Sequence, residues 1–593
     1  MADFLVWLSE QPPPRRLRHH WYWPGDGPLA VRPTTATRVG SAVADAGQLV
    51  CIGDCHGRRS RRSRISANEL ASDLLDELPR RGTDALNARL GSFAGAFADA
   101  DGHLVVWRDR FGRIPVQMIR LSDGWAVTSC PTTAAALSTQ RPRWSLLTDF
   151  MTGRPTTTDA DVFDDLYRLR PAEAVRFSGH SIQRRHHWWN PSPRPVDDPD
   201  HRLRTILTDI GRTYGSSPHL LGLSAGIDSA VLAAFATARH PASCAITFSD
   251  SGCEHDETAD ARATAQFLNI PWHRFDISDH GPLTRRDDHR FPLAWGPPAH
   301  PDFAWKMPLH RQLRHRFGSR PIVYGNGADD ALWIPADMWF DGRFQNLDAT
   351  ALARAVPHVS VTQLVRPALR AALQRFGSRP LRSLLPSWPD HRPLWCTPDH
   401  WLDVPARPPR PLPGDTPEQK LYHLRIRRLR GWRWERITRS LAVESRRADR
   451  LILTPFLDAE FWELTLSLNA RHLVEGGRQK AILRRAAGDL LPRGCVHRPK
   501  VGGFDPVVER GLAERATQQV YRLMAASQLA DTWRGFDPVR FADAYEAYRR
   551  CRPDSGCRGS WAIWKTVAAE LWIRRRNAND AVARSTTARE VRP

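Results

Sequence analysis

The residues best placed by type and spacing to do chemistry lie in one stretch, residues 220–232: Leu220-Leu221-Gly222-Leu223-Ser224-Ala225-Gly226-Ile227-Asp228-Ser229-Ala230-Val231-Leu232. An apolar run of strand length enters a small-residue turn. The turn opens into an Ala-rich run, residues 230–238, without Pro or Gly. Strand, tight turn and helix aim backbone N–H groups and a helix N-terminus at a bound anion. Ser224 and Ser229 add hydroxyls. Asp228 does not suit a bare phosphate site. It suits one in which Mg²⁺ bridges a carboxylate and phosphate oxygens. A second carboxylate follows a second apolar run: Pro321-Ile322-Val323-Tyr324-Gly325 leads into Asn326-Gly327-Ala328-Asp329-Asp330. Each piece taken singly is also what an ordinary βα turn looks like, and Asn326-Gly327 alone explains a turn.

The elements needed to position these residues are legible nearby. Helical spacing marks residues 202–214 and 258–268, and buried-strand runs cover 242–248, 272–277 and 321–325. Strands alternating with helices predict a doubly wound parallel sheet, an α/β fold whose ligands bind beyond the carboxyl ends of the strands. Asp228 and Asp329 both fall just past such an end. Residues 1–190 read differently. Short apolar or alternating runs separated by turns, around residues 4–8, 49–52, 93–98, 104–107 and 125–127, predict a β-rich first domain. Helices are expected at 67–78 and 84–90, and Arg108 to Pro115 reads as a polar structural corner. A linker is expected at 191–200 and a second domain, which contains this sheet, at 201–575. Within it, 335–420 is a variable insertion with a Pro-rich stretch at 407–413. Residues 576–593 read as a disordered tail.

A chain of 593 residues with 41% hydrophobic content has room for two or more cores. No apolar run approaches the length of a membrane span, and the N-terminus lacks the pattern of a signal peptide. Nine Cys, odd in number and thinly spread, predict reduced thiols and a cytoplasmic setting. Cys51-x-x-x-Cys55-His56 lacks a second ligand pair at zinc-site spacing, so it is read as structural. The net charge of +21 comes almost wholly from Arg, because only five Lys occur among 85 basic residues. The Arg residues are scattered, and runs such as 58–64 and 425–439 read as solvated faces, so nucleic acid is not the expected partner. The scarcity of Lys has a corollary: where Lys stands, Arg did not serve.

Six ordered segments together resemble the asparagine synthetase superfamily. Ser224-Ala225-Gly226-Ile227-Asp228-Ser229 is similar to the Ser-Gly-Gly-x-Asp-Ser loop of ATP-pyrophosphatases. Gly325-Asn326-Gly327-Ala328-Asp329-Asp330 resembles the family's Gly-Glu-Gly-Ala-Asp-Glu turn, and Asp256-Glu257 its second acidic pair. Pro455-Phe456-Leu457-Asp458 matches a Pro-Phe-Leu-Asp segment. Lys480-Ala481-Ile482-Leu483-Arg484 and Arg498-Pro499-Lys500-Val501-Gly502 match two basic motifs. In the first domain, residues 90–94 and 108–112 resemble the family's glutaminase domain, an αββα sandwich. The resemblance implies ATP and Mg²⁺ as cofactors, with Asp228 and Asp329 as metal ligands. It places Leu221, Leu223, Ser224, Ala225, Gly226, Asp228, Ser229, Phe248, Tyr324 and Gly325 around the nucleotide. It gives Lys500, Lys480 and Arg484 catalytic roles. Two of the five Lys fall on motif positions.

Departures narrow the reaction. A working glutaminase of this family needs a Cys directly after the initiator Met; here position 2 is Ala2, so the first domain is expected to be an inactive scaffold. The same loss occurs in β-lactam synthetase, carbapenam synthetase and lasso-peptide cyclases. These enzymes adenylate a carboxylate and let an amine of the same substrate attack it. The Lys500 loop resembles this branch especially well. The Tyr–Glu dyad of the β-lactam enzymes has no clear counterpart: the Glu position falls on Arg439, with Glu435 and Glu444 as neighbours. The expected activity is therefore that of a lasso-peptide macrolactam synthetase. Its partners would be a precursor core peptide, a leader peptidase and a leader-binding protein. An ammonia-using asparagine synthetase or another small-molecule amide ligase is the alternative, and an RNA-modifying protein using the same ATP loop is a third reading.

Overall fold

The structure is a computed structural model. It describes the chain apart from residues 1–2, 15–16, 18–20, 23–27, 33–38, 46, 58–63, 154–157, 251–255, 284–290, 335–394, 396–415, 476–477, 499–504, 551–558 and 591–593. The predicted insertion, Lys500 and Ala2 thus lie outside the described residues, except for Trp395 and the helix that begins at Pro417.

The β-rich reading of the first domain holds. The alternating pattern of β1 (Asp3–Leu8) buries Phe4 and Val6 on one face and Leu5 on the other. β1 lies in an antiparallel sheet with β2 (Leu29–Arg32), β8 (Gln117–Arg120), β9 (Trp125–Thr128) and β10 (Leu166–Arg168), in the order β10-β8-β9-β1-β2. A second antiparallel sheet contains β3 (Val39–Ala44), β4 (Gly47–Gly57), β6 (Arg89–Asp99), β7 (His103–Arg108), β11 (Glu173–Ser178) and β12 (Ser181–His187), with β5 (Arg64–Ile65) paired to β4. Val50, Ile52, Ala94, Ala96, Val106 and Val175 of the second sheet meet Phe4, Val6, Met118 and Val127 of the first in a shared apolar core. Helix α1 (Ala67–Arg81) covers the outer face of the second sheet through Leu70, Leu74 and Leu78. Helices α2 (Pro131–Leu137) and α3 (Trp144–Thr152) cover the outer face of the first. This is the expected αββα sandwich. One local expectation fails: residues 84–90 are not a helix. Gly82–Ala88 is a 3₁₀ turn, and Arg89 already begins β6. The apolar residues there are too few to pack a longer helix.

Helix α4 (Pro199–Tyr214) starts inside the expected linker, with Asp198 accepting from the N–H of His201 as its N-cap. Then β13 (Leu220–Gly222), helix α5 (Ile227–Phe235), β14 (Cys244–Ser249), helix α6 (Thr258–Phe267), β15 (Trp272–Asp276), helix α7 (Phe303–Phe317), β16 (Ile322–Val323) and helix α8 (Ala328–Leu332) follow. A fifth strand, β17 (Ile452–Leu453), was not apparent in the sequence because two residues leave no periodicity to read. All pairings in this sheet are parallel, in the order β15-β14-β13-β16-β17. The chain winds outward from β13 to β15, then returns to the other side of β13. That reversal opens a crevice at the carboxyl ends of β13 and β16.

Helices α9 (Pro417–Arg430), α10 (Trp432–Ala448), α11 (Ala459–Ser467) and α12 (Ala481–Ala487) precede a helical C-terminal region. Its last helix, Ser560–Glu590, runs through the segment expected as a disordered tail. No Pro or Gly interrupts it, and Asn577 Nδ2 donates to Gln528 Oε1 at 2.8 Å.

Helix α10 joins the domains. Glu435 lies 2.7 Å from Arg108 Nη1 and 2.9 Å from Arg439 Nε, with Arg168 at 3.6 Å, and its side chain is fully buried. Arg439 also pairs with Asp161 at 2.5 Å, and Arg446 with Asp3 at 2.5 Å. The Trp434 indole donates to the carbonyl of Phe111 at 2.7 Å. The segment from Arg108 to Pro115, read as a bland corner, is therefore the seam between domains. Burial would raise the Glu435 carboxyl, yet Arg108, Arg439 and Arg168 together hold it down at about 2.

Candidate active site

The chemistry expected at residues 224–229 is assembled at the carboxyl ends of β13 and β16. Leu221 is fully buried and pairs with Ala245 of β14 and Val323 of β16. Leu223 donates its N–H to Ile246, and its carbonyl accepts from Thr247 Oγ1, both at 2.8 Å. A central strand has neighbours on both sides, so these two residues form the floor of the site. Phe248, at the end of β14, packs edge-on against Phe275 at 6.3 Å.

The turn itself is clasped from within. Ser229 Oγ accepts from the N–H of Ser224 at 3.0 Å, lies 3.0 Å from Ser224 Oγ, and reaches the carbonyls of Ser224 and Gly226. The two serines thus shape the loop before they serve any ligand. Ala225 keeps a φ outside the positive range, as expected for a residue with a Cβ. Its N–H donates to Glu257 Oε2 at 3.3 Å. Glu257, at the start of α6, is a carboxylate lodged at a loop shaped for an anion. It occupies a donor that a phosphate oxygen would take.

On the facing side, Gly327 has φ +103 and caps α8, and a Cβ there would lie 2.4 Å from the Leu457 side chain. The Pro455–Asp458 motif therefore backs the Asp329 turn. Asp458 itself accepts from the N–H groups of Glu460 and Phe461, capping α11. Gly325 approaches Asp228 so closely that a Cβ would meet the Asp228 Cβ at 3.4 Å.

Lys480 closes the cluster. It sits in the left-handed region, φ +61, between a short hairpin and α12. That conformation costs a non-glycine residue about 1–2 kcal/mol, and such strain persists where surrounding contacts over-determine it. Its ammonium contacts Asp228 and lies 2.6 Å from Asp329. Burial would lower its pKa, but the two carboxylates raise it above the usual lysine value. The two carboxylates expected to hold Mg²⁺ thus converge on one cation, and in this arrangement the cation is Lys480. Among the described residues no group of three or more His, Cys, Asp or Glu could hold a metal alone. Two carboxylates completed by phosphate oxygens and water are what Mg²⁺ accepts, so the donor set fits the ion.

Arg484 donates to the carbonyls of Gln479, at 3.1 Å, and Val496. These bonds brace the Lys480 turn. Arg498 pairs with Asp260 of α6.

Tyr324 lies under the loop, where a Cβ on Gly222 would meet its ring at 2.9 Å. Its hydroxyl donates to Glu444 Oε1 at 2.7 Å. Glu444 also receives Lys306 Nζ and His310 Nε2, each at 2.8 Å. Lys306 bonds Asp302 at 2.8 Å and stands 5.3 Å from the Tyr324 ring centroid. Burial would raise Glu444, but Lys306 and His310 hold it at about 2, while burial and Glu444 push Tyr324 well above 10. A Tyr–Glu pair therefore stands at the site although none could be placed in the sequence. Arg439 and Glu435 belong to the domain seam. The signal that could have found this cluster is Lys306, one of the five Lys.

Comparison with solved structures finds distant likenesses. One is glutamine phosphoribosylpyrophosphate amidotransferase from B. subtilis complexed with ADP and GMP, at 12% identity and a TM-score of 0.21, covering 55% of this chain and 74% of that one. Another is described as the allosteric regulatory enzyme of purine biosynthesis, at 12% identity and a TM-score of 0.20, covering 55% and 68%. No curated protein matches the chain. The asparagine synthase family model matches residues 211–574, which span the parallel sheet, both carboxylates and Lys480, and the chain belongs to that family of ATP-using ligases.

Proposed function

We propose that the protein is a lasso-peptide macrolactam synthetase. It activates an Asp or Glu side chain of a leader-cleaved peptide as an acyl-adenylate, releasing pyrophosphate. The peptide's own N-terminal amine then attacks, releasing AMP. The observation that carries the adenylating half is the meeting of Asp228, Asp329 and Lys480 at the crevice between β13 and β16. The loop N–H groups at residues 224–226 and the N-terminus of α5 face the phosphates, and nucleotide entry displaces Glu257. Bound Mg²⁺ would neutralise the phosphates beside Asp228 and Asp329. Lys480 contributes a fixed positive charge that water does not screen, which favours charge developing at the reacting phosphate.

Support for an amine from the substrate itself, not from glutamine, comes from β1. The strand contains no thiol, and the carboxylate of Asp3 at its head is buried under Arg446 and Arg32. That end of the strand serves the domain seam. An ATP-dependent amide ligase for a small molecule, of the β-lactam type, gains one specific observation, the Tyr324–Glu444 pair. Its pKa values disfavour a general base, because the phenol is held protonated by a carboxylate already committed to Lys306 and His310.

Mass spectrometry of a candidate precursor peptide incubated with the leader peptidase, leader-binding protein, ATP and Mg²⁺ tests the proposal. Loss of one water, abolished by Asp228→Ala, supports ring closure. ATP-dependent conversion of free aspartate and ammonia to asparagine would sink it.

A further inference from the structure

One side chain joins the segment that carries Asp329 to the segment that carries Lys480. Gln479 ends the hairpin of β18 (Val474–Glu475) and β19 (Arg478–Gln479), where it pairs with Val474. Its amide turns to the backbone of Ile334. The Ile334 N–H donates to Gln479 Oε1 at 3.2 Å, and Gln479 Nε2 donates to the Ile334 carbonyl at 2.7 Å. The amide thus makes the two bonds that a neighbouring strand would make, one accepted and one donated. A carboxylate only accepts and an ammonium only donates, so neither replaces it.

Both ends of this clamp are fixed. Ile334 is fully buried and stands two residues beyond α8; Trp333, between them, donates its N–H to the Asp329 carbonyl at 3.0 Å. Arg428 of α9 donates to the Trp333 carbonyl at 3.3 Å, and its guanidinium lies 5.1 Å from the Trp333 ring centroid. At the other end, the Gln479 carbonyl accepts from Arg484 Nε at 3.1 Å. Lys480 needs such support, because its φ of +61 is strained. Helix α12 fixes the carbonyl side of Lys480, which accepts from the N–H groups of Leu483 and Arg484 at 3.1 and 3.2 Å. The amide side is set by Gln479.

We propose that Gln479 is a positioning residue, whose amide sets the register between the Asp329 helix and the Lys480 turn and so keeps the ammonium on both carboxylates. Asp329 and Lys480 lie on segments 151 residues apart, and the clamp crosses that gap directly behind the ion pair. That this placement serves adenylation rests on the reading proposed above. A charge held in place before the phosphates enter needs no rearrangement when charge develops on them.

The scarcity of Lys makes the test direct, since only Lys306, Lys420, Lys480, Lys500 and Lys565 occur. The full chain without ligand is treated with trace acetic anhydride at about pH 8, and the rate at each Lys is read by peptide mass spectrometry. The reagent acylates the free amine, so an ammonium held by two carboxylates reacts slowly. Lys306, which also lies between two carboxylates, Asp302 and Glu444, is the internal control. Gln479→Met should speed acetylation of Lys480 by about tenfold or more and leave Lys306 at its parent rate. A rate at Lys480 that stays or falls overturns the proposal, as does an equal rise at Lys306, which marks general loosening. Where the Met variant does not fold, Gln479→Asn is used: its amide is one methylene short of Ile334, and the same results decide. With the candidate precursor peptide, Gln479→Met should also lose about tenfold in kcat of ATP–pyrophosphate exchange at an unchanged KM for ATP. Unchanged kcat overturns the role in the reaction. The adenylating reading is tested apart from this. Mg²⁺ with ATP should slow Lys480 acetylation again in Gln479→Met; if it does not, that reading fails, while the clamp stands on the ligand-free rates.

Discussion

Replacing Glu435 by Gln should unlock the two domains. The carboxylate stands between three guanidinium groups, at 2.7, 2.9 and 3.6 Å, with no exposure to water. Gln keeps the shape and removes the charge, leaving Arg108, Arg168 and Arg439 with one fewer partner. Breaking a buried pair from one side costs about 3–5 kcal/mol. The pKa gives an independent figure. A carboxyl at about 2 in the folded chain and 4.5 when free contributes ~3 kcal/mol. Because the folded value is depressed, that contribution is present in full above about pH 4.5. It is lost as the pH falls toward 2. Denaturant unfolding followed by Trp fluorescence measures it. Glu435→Gln should lower the stability of the cooperative transition by about 3 kcal/mol or more at pH 7, or split it into two steps as the domains part. It should also flatten the acid limb between pH 4.5 and 2. A variant within about 1 kcal/mol of the parent, with an unchanged acid limb, would refute the reasoning.

Lys480→Met should reduce ATP–pyrophosphate exchange by about 10²-fold or more, because it removes the charge between Asp228 and Asp329. Lys480→Arg should not restore it, since a forked cation cannot occupy the same point; parent-like exchange in either variant contradicts this. Asp228→Asn and Asp329→Asn should each raise the Mg²⁺ concentration for half-maximal exchange by about tenfold, read from a Mg²⁺ titration at saturating ATP. Tyr324→Phe removes one of three partners of Glu444 and should cost about 1–2 kcal/mol of stability. It should slow amide formation less than tenfold, whereas a loss of about 10²-fold or more in kcat at unchanged KM would make Tyr324 the general base.

What the chain order alone determines is local. The apolar runs before Ser224 and Asn326, the small residues between them and the helices after them announce a parallel sheet and place two carboxylates at strand ends. Short-range periodicity suffices for that, and it also suffices to mark the first domain as β-rich; the sandwich itself is implied by the resemblance to the glutaminase domain. The rarity of Lys marks Lys480 as a position where a point charge is required, because a guanidinium does not fit between two carboxylates. Partner choice is another matter. Glu435, Glu444 and Arg439 lie on one helix within ten residues of each other. The sequence does not say that one faces Arg108 of the first domain and another Tyr324. With 85 basic and 64 acidic residues, charge complementarity has too many solutions to be read along the chain. Only the packing of α10 against both domains selects among them. Glu257 entered the reading as an acidic pair, and the fold sets it against the N–H of Ala225. Strand order, which makes β13 central, sets Leu221 and Leu223 in the floor of the site. Distance in sequence is the common physical reason: a pattern over ten residues fixes an element, while a contact across 120 or more residues is fixed only when the elements meet.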